Sequence, residues 1–145
     1  MITLLDKYKI PPDLIEIEIT ESAITDNNSY LIPLLEQIRQ LGLRLSMDDF
    51  GSGLSSLNAL RTLPFDILKL DKNFLRTDTT TLKERIVVSN IVNMARELQL
   101  EIISEGVETK EQAAFLKSIG CEYAQGYLFA KPMPAKEYIE SYLIN

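Results

Sequence analysis

Apolar positions recur along this chain in two alternating rhythms. Runs of period two, the mark of half-buried strands, alternate with stretches of period three to four, the mark of amphipathic helices. The period-two runs are Leu14–Ile19, Leu43–Asp48, Asp66–Leu70, Glu101–Glu105 and Glu122–Gln125. The stretches between them carry helix start and stop signals. Asn28-Ser29 stands where a cap is needed for a helix with Leu31, Leu34, Leu35, Ile38 and Leu41 on one face, Pro33 in its first turn and Gly42 at its end. A short helix fits Ser55–Thr62. Thr81 with Glu84, and Thr109 with Gln112, have capping-box spacing. The first pair precedes Ile86, Val88, Ile91, Val92, Ala95 and Leu98; the second opens a helix that Gly120 ends. Pro134 opens a last helix through Tyr138 and Tyr142. Strands alternating with helices predict an α/β fold with a mainly parallel sheet.

Length narrows the architecture to two. An eight-unit βα barrel of about 250 residues uses roughly 31 residues per unit. A chain of 145 residues therefore supplies between four and five units. It is either a five-stranded, doubly wound open sheet or an incomplete barrel. Length alone leans to the open sheet, so the residues at the strand ends must decide.

Alternation divides each strand into two faces. Ile15, Ile17 and Ile19 oppose Leu14, Glu16, Glu18 and Thr20; Leu43, Leu45 and Met47 oppose Arg44, Ser46 and Asp48. Ile67, Lys69 and Asp71 share a face, as do Ile103 with Glu105 and Tyr123 with Gln125. The apolar faces of the early strands are expected to meet the helices. The other face has a polar group near every strand's C-terminal end: Glu18, Asp48, Lys69, Glu105 and Gln125. Sites of parallel α/β folds lie at that end. Deeper on the same face, Glu16 and Arg44 are expected to form a structural ion pair. The adjacent carboxylates of Asp48 and Asp49 repel unless a cation screens them. With Glu18, Glu105 and Lys69 at neighbouring strand ends, they point to an all-oxygen site for Mg²⁺, Mn²⁺ or Ca²⁺.

Composition removes several alternatives. Hydrophobic residues make up 46% and charged residues 25%, enough for a packed core and against disorder. With 15 basic and 21 acidic residues the net charge is −6, which disfavours DNA or RNA as a partner. There is no histidine, so imidazole catalysis and histidine metal ligands are excluded. The single cysteine, Cys121, forbids an intrachain disulfide and reads as a small buried residue. No apolar run is long enough to insert in a membrane and no signal peptide is legible, so a cytoplasmic location is expected. Asp49-Phe50-Gly51 lacks the other kinase motifs, and Gly51-Ser52-Gly53 lacks the third glycine of a dinucleotide fingerprint. A phosphorelay receiver has an acidic pair and a late Lys-Pro, here Lys131-Pro132, but its pair follows the first strand and an Asp closes its third, where this chain has Lys69.

Five segments together resemble the EAL domain of bacterial cyclic-di-GMP phosphodiesterases. They are Glu18-Ile19-Thr20-Glu21-Ser22, Asp48-Asp49-Phe50-Gly51-Ser52-Gly53, Leu68-Lys69-Leu70-Asp71, Glu105-Gly106-Val107-Glu108-Thr109, and Gln125-Gly126-Tyr127 running on to Lys131-Pro132. Order and spacing match across nearly the whole chain, residues 1–145 being taken as one domain. The resemblance implies an incomplete TIM barrel of about five βα units, a phosphodiesterase that opens cyclic-di-GMP to linear pGpG with two ions, Mg²⁺ or Mn²⁺. It implies metal ligation by Glu18, Asp48, Asp49 and Glu105, catalytic roles for Lys69, Glu105, Glu108 and Gln125, and substrate contacts from Asp71, Tyr127 and Pro132. Glu21 would anchor the loop Phe50–Ser56. The family's Glu-Ala-Leu tripeptide and a further Asn ligand do not occur, so the chain is expected to be N-terminally truncated and catalytically silent by itself. Ser104 stands where the family usually has Ala, and Leu54 where it often has an aromatic. The competing expectation is a non-catalytic module that binds cyclic-di-GMP or a protein. Open sheet edges on the first and last strands, with Leu14, Ile103 and Tyr123 short of neighbours, predict a homodimer or larger assembly.

Overall fold

The computed structural model describes residues 2–24, 30–51, 56–75 and 81–143. The elements are α1 (Ile2–Tyr8), β1 (Glu16–Thr20), α2 (Leu31–Gln40), β2 (Arg44–Phe50), α3 (Ser56–Thr62), β3 (Ile67–Leu70), α4 (Leu82–Glu97), β4 (Glu101–Ser104), α5 (Lys110–Ser118), β5 (Tyr123–Ala124) and α6 (Ala135–Tyr138), the last continued by a π-turn, Ile139–Leu143. All five strands pair in parallel, in the order β1-β2-β3-β4-β5.

That order decides between the two architectures. A doubly wound sheet reverses direction partway and carries helices on both faces. Here Leu45, Met47, Leu68, Leu70 and Ile102 form one buried cluster with Leu35 of α2, Leu60 of α3, Val88, Val92 and Ala95 of α4, and Phe115 and Leu116 of α5. The four helices therefore cover a single face, the winding of a βα barrel. The opposite face carries Arg44, Ser46, Ile67, Lys69, Glu101 and Ile103.

Both capping boxes form: Thr81 and Glu84 bond reciprocally at the start of α4, as do Thr109 and Gln112 at α5. Cys121 is buried, and its thiol pKa is raised, chiefly by that burial. Several expectations are corrected. Leu14 is no part of the edge strand; Pro11-Pro12 lead into a 3-10 turn, Pro12–Leu14, which leaves Leu14 71% exposed. α1 was not anticipated, although Leu5 is buried. In α2 the buried residues are Leu31 and Leu35, while Leu34 and Leu41, just past its end, face solvent; Ile86 of α4 and Leu98, just past its end, are likewise outside the core. The Asn28-Ser29 cap, Leu54 and the start of the Ser55–Thr62 helix lie outside the described residues.

The expected Glu16–Arg44 ion pair does not form. Their Cα positions are in register on β1 and β2, but the Arg44 guanidinium reaches across β3 to Glu101, 3.0 Å away. The hydrogen bond to Glu101 is the main cause that raises the Arg44 pKa; Glu16 adds only its charge, and Glu16 Oε1 is buried without a hydrogen bond. At the same end of the sheet, Asp66 ties two elements: Oδ1 pairs with Arg39 of α2 at 3.0 Å, and Oδ2 accepts from the Leu45 amide at 3.0 Å.

Candidate functional site

The C-terminal ends of the strands converge on Lys69. This side chain leaves β3 on the face away from the helices and is buried. Its Nζ lies 2.6 Å from Glu18 of β1, 2.7 Å from Glu105, just beyond β4, and 3.3 Å from Asp48 of β2. Gln125, just beyond β5, donates to Glu105 Oε1 at 2.6 Å. All five strand-end groups are thus linked into one network. Burial opposes the charged ammonium, yet hydrogen bonds to Glu105 and Glu18 and the charges of Glu105 and Asp48 outweigh it. The Lys69 pKa stands above the ordinary lysine value.

Adjacent residues in a regular strand point to opposite faces, so Asp48 and Asp49 should not share a site. The backbone removes this obstacle. Met47 pairs with Leu68 and Phe50 with Leu70, which leaves Asp48 and Asp49 together opposite Lys69. This is a β-bulge, and Asp49 adopts a left-handed φ of 55° within it. The bulge re-aims Asp49, and carboxylate oxygens of Asp48, Asp49 and Glu105 come within 4.8 Å of one another. Burial, followed by the charges of Asp48 and Asp71, raises the Asp49 pKa; Lys69 offsets part of this. Asp48 Oδ1 is buried and, though near Lys69, makes no hydrogen bond. Three crowded carboxylates, one with a buried oxygen held only by an ion pair, have the chemistry of a divalent-cation site.

Glu18 stands apart from this trio. Its side chain is 50% exposed on the edge strand and bonds Lys69. Glu21 is buried, and its Oε2 accepts from the Gly51 amide at 3.1 Å, which pins the chain just after the bulge. Only Phe50 and Gly51 of the expected Phe50–Ser56 loop fall among the described residues before α3. A cleft of about 820 Å³ opens beside the carboxylates. Asp49, Asp71, Glu105, Glu108, Gln125, Tyr127 and Pro132 all line it. Lys131 also lines it and sits over the Tyr127 ring at 5.4 Å. Glu108 is exposed there, and its amide bonds Gln112. Sequence reasoning stopped at Asp71 and did not find Lys72, the next residue, which also lines the cleft but lies one position past the matching Leu68–Asp71 segment.

The EAL domain model matches residues 1–132. The chain belongs to the EAL domain family. It is 44% identical over 141 residues to the cyclic di-GMP phosphodiesterase NbdA of Pseudomonas aeruginosa, covering 95% of this chain and 18% of that protein. Among solved structures it is similar to the PaMucR phosphodiesterase in complex with c-di-GMP, with a TM-score of 0.84 and 38% identity over 93% of this chain and 55% of that one. Similar too is Klebsiella pneumoniae BlrP1 in a manganese and cy-diGMP complex, with a TM-score of 0.81 and 31% identity over 90% of this chain and 34% of that one. The EAL chain described here therefore spans a minor part of these relatives' full length and a little over half of the solved PaMucR chain.

Proposed function

We propose that this chain is the part of an EAL phosphodiesterase domain that carries the carboxylate cluster, and that its substrate is cyclic di-GMP, opened by water to linear pGpG. The observation that carries this reading is the Asp48–Asp49–Glu105 cluster beside the cleft, built by a bulge that a merely structural strand end does not need. Asp48, Asp49 and Glu105 would hold a divalent cation, Mg²⁺ or Mn²⁺, and Glu18 with Asp48 would contribute to a second. When bound, such ions neutralise phosphate charge and acidify a water. Lys69 keeps a fixed positive charge among the carboxylates and offsets charge that builds on the phosphate. Gln125 orients Glu105 through its hydrogen bond. Glu108 and Asp71 add acceptors along the cleft, and Tyr127 and Pro132 offer apolar surface to a guanine.

A second reading, cyclic di-GMP binding without hydrolysis, draws support from Glu18, which lies outside the close carboxylate trio. The family's Glu-Ala-Leu tripeptide is also absent from the sequence, so we expect weak metal binding and no pGpG from the 145-residue chain alone. We further propose a cytoplasmic location and self-association. Among the described residues no helix is long and apolar enough to cross a membrane.

Titration calorimetry with Mn²⁺ tests the site. The wild-type chain is expected to bind and Asp48→Asn to lose about tenfold or more in affinity. Identical heats in the two proteins would reject the assignment. Adding cyclic di-GMP and analysing products by chromatography then separates the readings. Retention without pGpG from a longer EAL protein carrying this segment favours the binding module, and pGpG release favours the enzyme.

A further inference from the structure

Gln112 does more than cap α5. Its Oε1 accepts from the Thr109 amide at 2.9 Å and the Glu108 amide at 2.7 Å, and its own amide donates to Thr109 Oγ1 at 3.2 Å. A capping box needs only that oxygen, which Glu supplies equally well. The nitrogen end is the distinctive part: Nε2 donates at 2.6 Å to the carbonyl of Leu75, 37 residues earlier in the chain.

Leu75 ends a 3-10 turn, Lys72–Leu75, that follows β3 and Asp71. Two other strand exits lean on this turn. The Phe74 ring lies directly on Gly51, where a Cβ would stand 2.3 Å from ring carbons. Gly51 follows Asp49 by two residues, and its amide is held by Glu21. Lys72 lies against Gly106, where a Cβ would stand 2.4 Å from the Lys72 Cβ. Gly106 is the residue after Glu105. The turn is thus wedged between the two segments that present Asp49 and Glu105, whose carboxylates meet within 4.8 Å. The wedge is held at its far end by the Gln112 amide.

We propose that Gln112 is a positioning residue: it locks the Lys72–Leu75 turn, and through that turn sets the placement of Asp49 relative to Glu105. The role in cation binding rests on the metal-site reading above; the lock itself does not.

Gln112→Glu isolates the lock, because it keeps the capping oxygen and removes only the donor to Leu75. Thr109→Ala is the counterpart, weakening the cap and keeping the donor. Hydrogen exchange followed by mass spectrometry and Mn²⁺ calorimetry are measured on each full chain. In Gln112→Glu, exchange should rise in residues 71–75 and 105–109 while α5 stays protected, and Mn²⁺ affinity should fall by about tenfold, the scale of outer-sphere effects on metal sites. The added negative charge alone would strengthen cation binding, so a loss reports position. Thr109→Ala should lower the melting temperature and leave Mn²⁺ affinity near wild type. Unchanged exchange in 71–75 overturns the lock. Raised exchange with wild-type or tighter Mn²⁺ binding overturns the positioning role. If the wild-type chain takes up no Mn²⁺, the metal reading falls and exchange in 71–75 still decides the lock: raised supports it, unchanged overturns it. Should Gln112→Glu fail to fold, Phe74→Leu, which withdraws the ring from Gly51, tests the turn's hold on the bulge, and wild-type exchange across 48–51 in that variant overturns the positioning role.

Discussion

Ser104 shows how much a single buried atom matters in this fold. Its side chain is fully buried, and its hydroxyl makes no hydrogen bond. An unsatisfied buried hydroxyl costs about 1–3 kcal/mol in lost hydration. The position suits Ala, the residue that the family resemblance led one to expect there. Ser104→Ala should therefore raise stability by about 1 kcal/mol, the removed desolvation penalty exceeding the small loss of packing. Urea denaturation would check this, and a lower midpoint in the variant would refute it. Lys69 is the opposite case, a buried charge with three partners of opposite sign. Both residues were visible in the sequence, but only contacts distinguish the satisfied group from the unsatisfied one.

At the scale of elements, the strand-to-helix joints carry the specificity. Asp66, just before β3, bonds α2 through Arg39 and β2 through the Leu45 amide. Asp66→Ala would strand a partly buried backbone N–H on a central strand. The expected cost is about 2 kcal/mol by denaturant titration, with faster exchange of the Leu45 amide. A change within about 0.5 kcal/mol, the usual range for surface substitutions, would show the links to be incidental. The bulge in β2 works at the same scale: one extra residue opposite Lys69 brings two neighbouring carboxylates into one cluster with Glu105.

The whole molecule is a sheet with two open edges among the described residues, β1 and β5. Tyr123 on β5 is 50% exposed, and Leu14 beside β1 is more so. Parallel sheets are ordinarily covered on both faces and closed or protected at their edges. Among the described residues, helices α2–α5 cover one face of the sheet only. Light scattering on the purified chain should give the mass of a dimer or larger assembly, shifting toward monomer when a lysine is placed at Tyr123. A monomer at all concentrations, with cooperative unfolding, would refute the assembly.

The sequence by itself determined the alternation of strands and helices, both capping boxes, and the gathering of Glu18, Asp48, Lys69, Glu105 and Gln125 at one pole. These depend on local periodicity and on the rule that parallel strands share a direction. Whether the sheet was doubly wound or barrel-wound was decided only in three dimensions, by the face on which each helix packs. The Arg44 partner was decided there too: Glu16 is adjacent in register, but Glu101, across an intervening strand, satisfies the guanidinium. The approach of Asp49 to Asp48 depends on a bulge and a left-handed φ at a non-glycine residue, which period-two reasoning forbids. The Gln112 bond to Leu75 joins residues far apart in the chain, and one amide can cap a helix and hold a distant turn only when tertiary packing brings both within reach.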